Sequence, residues 1–262
     1  MTRGVFFLLL MGGAALNAVI KPIENWFLNG DIVSSPSFPV TVFGLQPAVL
    51  ICMCLGGYSL AVGAVKYKSE IKARDLLAAT MITGLCLVPF AKVAWVAVSC
   101  CALAGLSSQD KKNFRYKAGM VILLAVGIRD PLATFVMDLM ASPLLTFDAW
   151  AAGSLLHIWT GDVIISDNLI RRADGHSVFI LSGCASFKNI SHALLIWFAF
   201  IRMYSAKSVL YWMLSGAIIT AFIFTINILR LGLMGISERS YDIIHNGIGS
   251  DVFSALTLLI LF

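Results

Sequence analysis

The chain has 262 residues, 59% of them hydrophobic, with a mean hydropathy of +0.89. So large an apolar share excludes an ordinary water-soluble domain. The formal charge of +5 comes from basic residues gathered in short loops between apolar runs, a pattern that argues against nucleic-acid binding and for loops held on one side of a membrane.

In chain order, apolar runs near residues 5–20, 40–64, 76–90, 92–106, 116–138, 187–204, 209–229 and 247–262 read as about eight transmembrane helices. The first reads as a span and not a cleaved leader, because no small-residue cleavage site precedes a polar domain and more spans follow. The third and fourth are short for a hydrocarbon core of about 30 Å, with a turn expected at Pro89 and Lys92. The fifth is interrupted by Arg129-Asp130-Pro131. Either that pair neutralises itself inside a bundle, or the helix leaves the membrane there.

Three loops are basic: Lys66, Lys68, Lys72 and Arg74; Lys111, Lys112, Arg115 and Lys117; and Arg202 with Lys207. Assigning all three to the cytoplasm puts both termini inside and residues 141–186 and 230–246 outside. The outer segments then hold most of the acids: Glu24, Asp31, Asp148, Asp162, Asp167, Asp174, Glu238 and Asp242. Within 141–186, "LLTFDAWAAGSLLHIW" (144–159) has apolar residues at helical spacing and Trp150 and Trp159 as interface anchors, so an interfacial helix is expected. "NLIRRADGHSVFILSGC" reads as a β-hairpin about Asp174-Gly175. Beyond the turn, Val178 and Ile180 should face one way and Phe179 and Leu181 the other. The fold class is therefore an all-α polytopic membrane protein with a short extracytoplasmic hairpin and an interfacial helix. We treat residues 1–262 as one integral membrane domain, with N-terminal spans over 1–114.

Cys52, Cys54, Cys86, Cys100 and Cys101 lie inside apolar runs without CxxC spacing, so they read as packing, with neither a metal site nor a disulfide framework implied. Cys184 differs. It stands at the outer start of the sixth span in "SGCASFKN". Arg230 ends the seventh span in "TINILRLGLMG", and His245 opens the last in "HNGIGSDVF". The topology, fixed from the basic loops, brings all three to one outer edge. Together they suit nucleophilic catalysis: a thiolate attacks, an imidazole carries the proton, and a guanidinium lowers the thiol pKa or stabilises an oxyanion. Alone, each has an ordinary reading: a packed thiol, a snorkelling anchor, a helix-start histidine. Supporting candidates are Asn227, one turn below Arg230; Lys188, one turn past Cys184; His176 in the hairpin, as a substitute base; and Arg129. His192 reads as a core histidine, and His157 as an outer-face residue.

The ordered trio resembles the exosortase/archaeosortase family of polytopic membrane cysteine transpeptidases. "NILR" (227–230) is similar to that family's Asn-x-x-Arg, and His245, Gly249 and Phe253 fit its spacing after the histidine. The resemblance spans residues 115–262. This chain departs from the family's Cys-Ser-Gly with Cys184-Ala185-Ser186, which bears on subfamily and substrate. The resemblance implies a catalytic Cys184, Arg230 and His245. It also implies a thioester acyl-enzyme, and a secreted protein substrate ending in a short motif, one transmembrane helix and a basic tail. Lipid is the other partner; no cofactor is implied. The cell membrane is the implied location, with the site on its outer side. Two other classes are a small-solute or ion transporter lined by Arg129, Asp130 and Arg230, and a non-catalytic membrane assembly protein.

Overall fold

The computed structural model describes residues 1–28, 46–66, 69–88, 90–107, 113–204 and 208–259. Asp31, Lys68, Pro89, Lys111, Lys112, Lys207 and the start of the second expected span lie outside them, as do residues 260–262. The helices are α1 (Arg3–Leu28), α2 (Pro47–Lys66), α3 (Ala73–Leu87), α4 (Ala91–Leu106), α5 (Phe114–Thr160), α6 (Ser186–Tyr204), α7 (Val209–Met234), α8 (Glu238–Tyr241) and α9 (Ile248–Leu259). A π-helical turn, Asp242–Asn246, joins α8 to α9. Among the described residues, four helices hold stretches long and apolar enough to cross a membrane: Arg3–Ile20, Pro47–Lys66, Phe114–Thr160 and Val209–Met234. The described parts of the eight expected spans fall on helices, but α3, α4 and α9 have 15, 16 and 12 residues, at about 1.5 Å each short of a hydrocarbon core.

One expected boundary holds and one expected element grows. The fifth span and the following helix both form within α5, as two helices that meet at a kink at Met140 (φ −126°, ψ 21°), between the expected 116–138 and 144–159. The cause is Pro143, which has no N–H to give and whose ring crowds the carbonyl four residues back. Helix continues through Pro131, and the Arg129 and Asp130 side chains pair with each other. The expected hairpin is a three-stranded antiparallel sheet in the order β1 (Val163–Ser166), β2 (Leu169–Arg172), β3 (Ser177–Phe179). Gly175, at φ +92°, makes the expected turn between β2 and β3. The added turn is Asp167-Asn168, where Asp167 takes φ 51° and replaces the usual glycine. The predicted facing holds: Val178 and Ile180 are buried, and Phe179 and Leu181 are more than 60% exposed.

The chain forms two compact units. The first holds α1 to α4, α5 to Leu132, and α6 from Leu195; the second holds the rest of α5, the sheet, the start of α6, and α7 to α9. In the first unit small residues let helices touch. A Cβ on Gly119 of α5 would stand 2.5 Å from the Leu60 nitrogen and 2.7 Å from the Gly56 oxygen of α2. In an apolar solvent such close main-chain approach replaces the hydrophobic drive of water. Polar groups fasten one end of this unit. Arg3 Nε and Nη2 donate to the two Asp75 carboxylate oxygens at 2.7 Å, and Nη2 also reaches the Ala104 carbonyl at 3.3 Å. The Arg3 N–H donates to the Ser69 carbonyl. Asn113 Nδ2 donates to the Gly63 carbonyl, and Ser59 Oγ to that of Arg115.

The second unit's core joins Ala149, Ala152 and Leu156 of α5 to Ile170, Val178 and Ile180 of the sheet and Ile228, Leu231 and Met234 of α7. The α5 residues are three and four apart and the α7 residues three apart, each an apolar stripe. The sheet also caps α7: His176 Nε2 donates to the Met234 carbonyl at 3.1 Å and Arg172 donates to that of Ile236. These carbonyls have no helical partner of their own.

The Arg3–Asp75 pair generates a test. Both side chains are at most 2% exposed, so Asp75→Ala strands a buried cation and is expected to cost about 3–5 kcal/mol of stability, read by thermal unfolding in mild detergent. Hydrogen bonds from Arg3 hold the Asp75 carboxyl below its ordinary range, against the opposing effect of burial. Its contribution is therefore complete above the unfolded value of about 3.9. It is lost as pH falls through the lower folded value, a loss that Asp75→Ala should abolish.

Candidate functional site

The site is built from the short link between β3 and α6. After β3, the Ile180 N–H donates to the Asn168 carbonyl, and Asn168 Nδ2 returns a bond to the Ile180 carbonyl, both at 2.9 Å. The chain then turns through Leu181–Cys184, closed by the Cys184 N–H on the Leu181 carbonyl at 2.9 Å. Two residues later α6 begins. Its first amide, Ser186 N–H, donates to Asp148 Oδ2 of α5 at 2.7 Å. This carboxylate satisfies one of the amides that every helix start leaves open, and lies at the positive end of the helix dipole.

Asn227 of α7 holds the other side of the link. Its Nδ2 donates to the Cys184 carbonyl and to Ser186 Oγ, both at 3.0 Å, and its Oδ1 accepts from Asn189 Nδ2 at 2.9 Å. All of the amide's strongest bonding directions are used, and Asn227 and Ser186 are buried.

The thiol so positioned is half-buried, and its Sγ stands 3.9 Å from His245 Nε2. His245 comes from the π-helical turn, its ring stacked on Tyr241 four residues earlier, with centroids 4.9 Å apart and planes at 9°. Tyr241 and Ile244 pack on the same core as Cys184. Gly247 and Gly249 follow because the chain folds close to itself here: added Cβ atoms would stand 2.9 Å and 2.8 Å from main-chain atoms of Ile243 and Ile244.

Arg230 lies one turn beyond Asn227 on α7, half-buried, and its Nε is buried without a hydrogen-bond partner among the described residues. Of the predicted residues, Cys184, His245 and Asn227 are joined by direct contacts, and Arg230 and Lys188 stand one turn from Asn227 and Cys184 respectively. His176 belongs elsewhere in the unit: its Nε2 is held by the Met234 carbonyl, so it ties the sheet to α7. Arg129 belongs to the first unit, where it pairs with Asp130. His192 donates from Nδ1 to the Lys188 carbonyl of its own helix at 2.9 Å, and His157 is exposed.

The residues that sequence reasoning missed are Asp148, Ser186, Asn189 and Tyr241. Asp148 counted only as one outer acid among eight. Its signal was its place in an otherwise apolar helical face, where an unpaired carboxylate is too costly to leave. Tyr241 stands four residues before His245, a spacing that stacks rings on one helix face.

No protein-family model, no curated protein and no solved structure matches the chain.

Chemically, the arrangement can pass the thiol proton to Nε2 when His245 carries its own proton on Nδ1. The separation of 3.9 Å is at the long end for such a bond, as is usual for a site without substrate. The Asn227 network makes its own prediction. Asn227→Leu leaves the Cys184 carbonyl, Ser186 Oγ and Asn189 Nδ2 without this partner. It is expected to cost about 1–3 kcal/mol, read by thermal unfolding, and to raise amide exchange through residues 181–189.

Proposed function

We propose that the protein is a membrane-embedded cysteine protease or transpeptidase whose site is Cys184, His245 and Arg230. The observation that carries the reading is the approach of Cys184 Sγ to His245 Nε2, residues 61 positions apart. A packed thiol has no need of an imidazole, whereas a nucleophile does.

In the proposed reaction His245 Nε2 takes the Cys184 proton as the sulfur attacks the carbonyl carbon of the scissile amide. The tetrahedral oxyanion is met by the Arg230 guanidinium, which stays charged at any working pH. The amide C–N bond then breaks, and His245 returns the proton to the leaving amine. A thioester to Cys184 remains. Water resolves it as hydrolysis, and an amine resolves it as transpeptidation. Asn227 and Asp148 hold the turn and the helix start, and so set the direction of the thiol.

The substrate class is carried by the resemblance: a secreted protein with a C-terminal motif, one apolar helix and a basic tail. The proposed setting is the cell membrane, with eight spans, both termini cytoplasmic and the site at the outer edge. The fastening of Arg3, Asp75 and Ala104 into one cluster supports it, since it gathers the starts of α1 and α3 and the end of α4, beside two basic loops.

The test is processing of a co-expressed tailed protein, read as a mobility shift. Cys184→Ala is expected to leave it uncut, and His245→Ala and Arg230→Ala to lower the rate about a hundredfold or more. An impermeant thiol reagent added outside should label Cys184 and spare the other five cysteines. Normal processing by Cys184→Ala would sink the nucleophile, and solute flux lost with Arg129→Ala but kept with Cys184→Ala would favour a transporter.

A further inference from the structure

We propose that the free edge of β3 is the strand on which an extended stretch of the polypeptide substrate pairs, beside Cys184. The inference rests on Cys184 being the nucleophile and adds how the scissile segment is held.

The sheet order leaves β3 with β2 on one side and nothing paired on the other among the described residues. In an antiparallel pair, residues alternate between those that bond across and those that point their N–H and C=O away. The Ile180 N–H donates to the Asn168 carbonyl, and the Arg172 N–H to that of His176. With the register Leu169 to Phe179 and Arg171 to Ser177, Ile180, Val178 and His176 bond inward. Ser177 and Phe179 therefore present their main-chain groups outward. Both are exposed, Phe179 at 61%.

The same edge leads straight to the thiol. Leu181–Cys184 is a closed turn, so Leu181 and Cys184 have Cα atoms within about 7 Å. Phe179 stands two strand residues earlier, about 7 Å further. Roughly four extended residues at about 3.4 Å each span the distance from the Phe179 edge to the sulfur. Leu181, 63% exposed on the same side as Phe179, offers an apolar surface along the path. A strand edge accepts any extended main chain and leaves side-chain choice to neighbouring surfaces.

The probe is acetyl-tetra-alanyl chloromethyl ketone, whose chloromethyl carbon bonds to the sulfur as chloride leaves. Iodoacetamide, which has no peptide chain, is the reference. The measurement is the ratio of the two alkylation rates at Cys184 in the full-length protein in detergent, by mass spectrometry, divided by the same ratio for glutathione. Wild type should favour the peptide about tenfold or more, the worth of two main-chain hydrogen bonds. Phe179→Pro, which removes an outward N–H and leaves the β2 ladder intact, should bring the ratio to about one. Val163→Pro, on the opposite edge of the sheet, should keep it. An N-methylated tetra-alanyl probe should lose the preference on wild type, which decides the matter even if Phe179→Pro fails to fold. A wild-type ratio near one, or a preference that survives N-methylation, overturns the proposal. So does a β3 edge that pairs two copies, seen as a dimer dissolved by Phe179→Pro with no peptide preference. Iodoacetamide labelling indifferent to His245→Ala, with the peptide preference intact, would count against the nucleophile alone.

Discussion

An amide side chain in an apolar helix has to find partners for all its polar atoms, and Asn227 finds them in the turn that carries Cys184. Its orientation is not ambiguous, because the Cys184 carbonyl can only accept, so Nδ2 must face it. Apolar packing among α5, the sheet and α7 brings these elements near each other but tolerates small slides. The bonds from Asn227 to Cys184, Ser186 and Asn189, with the Asp148 bond to Ser186, tolerate none. Arg230 stands one turn along the same helix. Polar groups thus set the alignment within a unit whose attraction is apolar.

The fold class, the helix positions, the Asp174-Gly175 turn and the facing of Val178 to Leu181 were legible because each is a local pattern: run length, turn residues, alternation. Cys184, Arg230 and His245 could be read only as an order along the chain; the structure brings Cys184 and His245 within 3.9 Å. Less visible was β1, whose turn at Asp167-Asn168 lacks glycine and depends on aspartate accepting a positive φ. Arg129-Asp130-Pro131 looked like an interruption, but helix runs through it, and the kink that divides the fifth span from the next helix falls at Met140. His176 looked like a spare base because the charge pattern of the loops assigned it to the same face as Cys184. Only the fold shows its ring committed to a helix-end carbonyl.

The first unit uses a different economy of parts. Gly56, Gly63 and Gly119 carry no side chain to the contact, and the Arg3–Asp75 pair is two-pronged and buried. Such a pair adds little net stability over apolar replacements, yet it admits one alignment of α1 against α3. The same division of labour appears in both units: small or apolar residues for closeness, a few hydrogen-bonded groups for register.

The π-helical turn at Asp242–Asn246 sets regularity against aim. A turn shortened by one residue could relax into ordinary α-helix, with better hydrogen bonds, but would carry the imidazole about 100° round the axis. The most regular backbone for this segment is one that points His245 away from the sulfur. A search for more heat-resistant variants, left to itself, should therefore drift toward straightening these residues and toward proteins that are sturdier but have lost the Cys184–His245 contact.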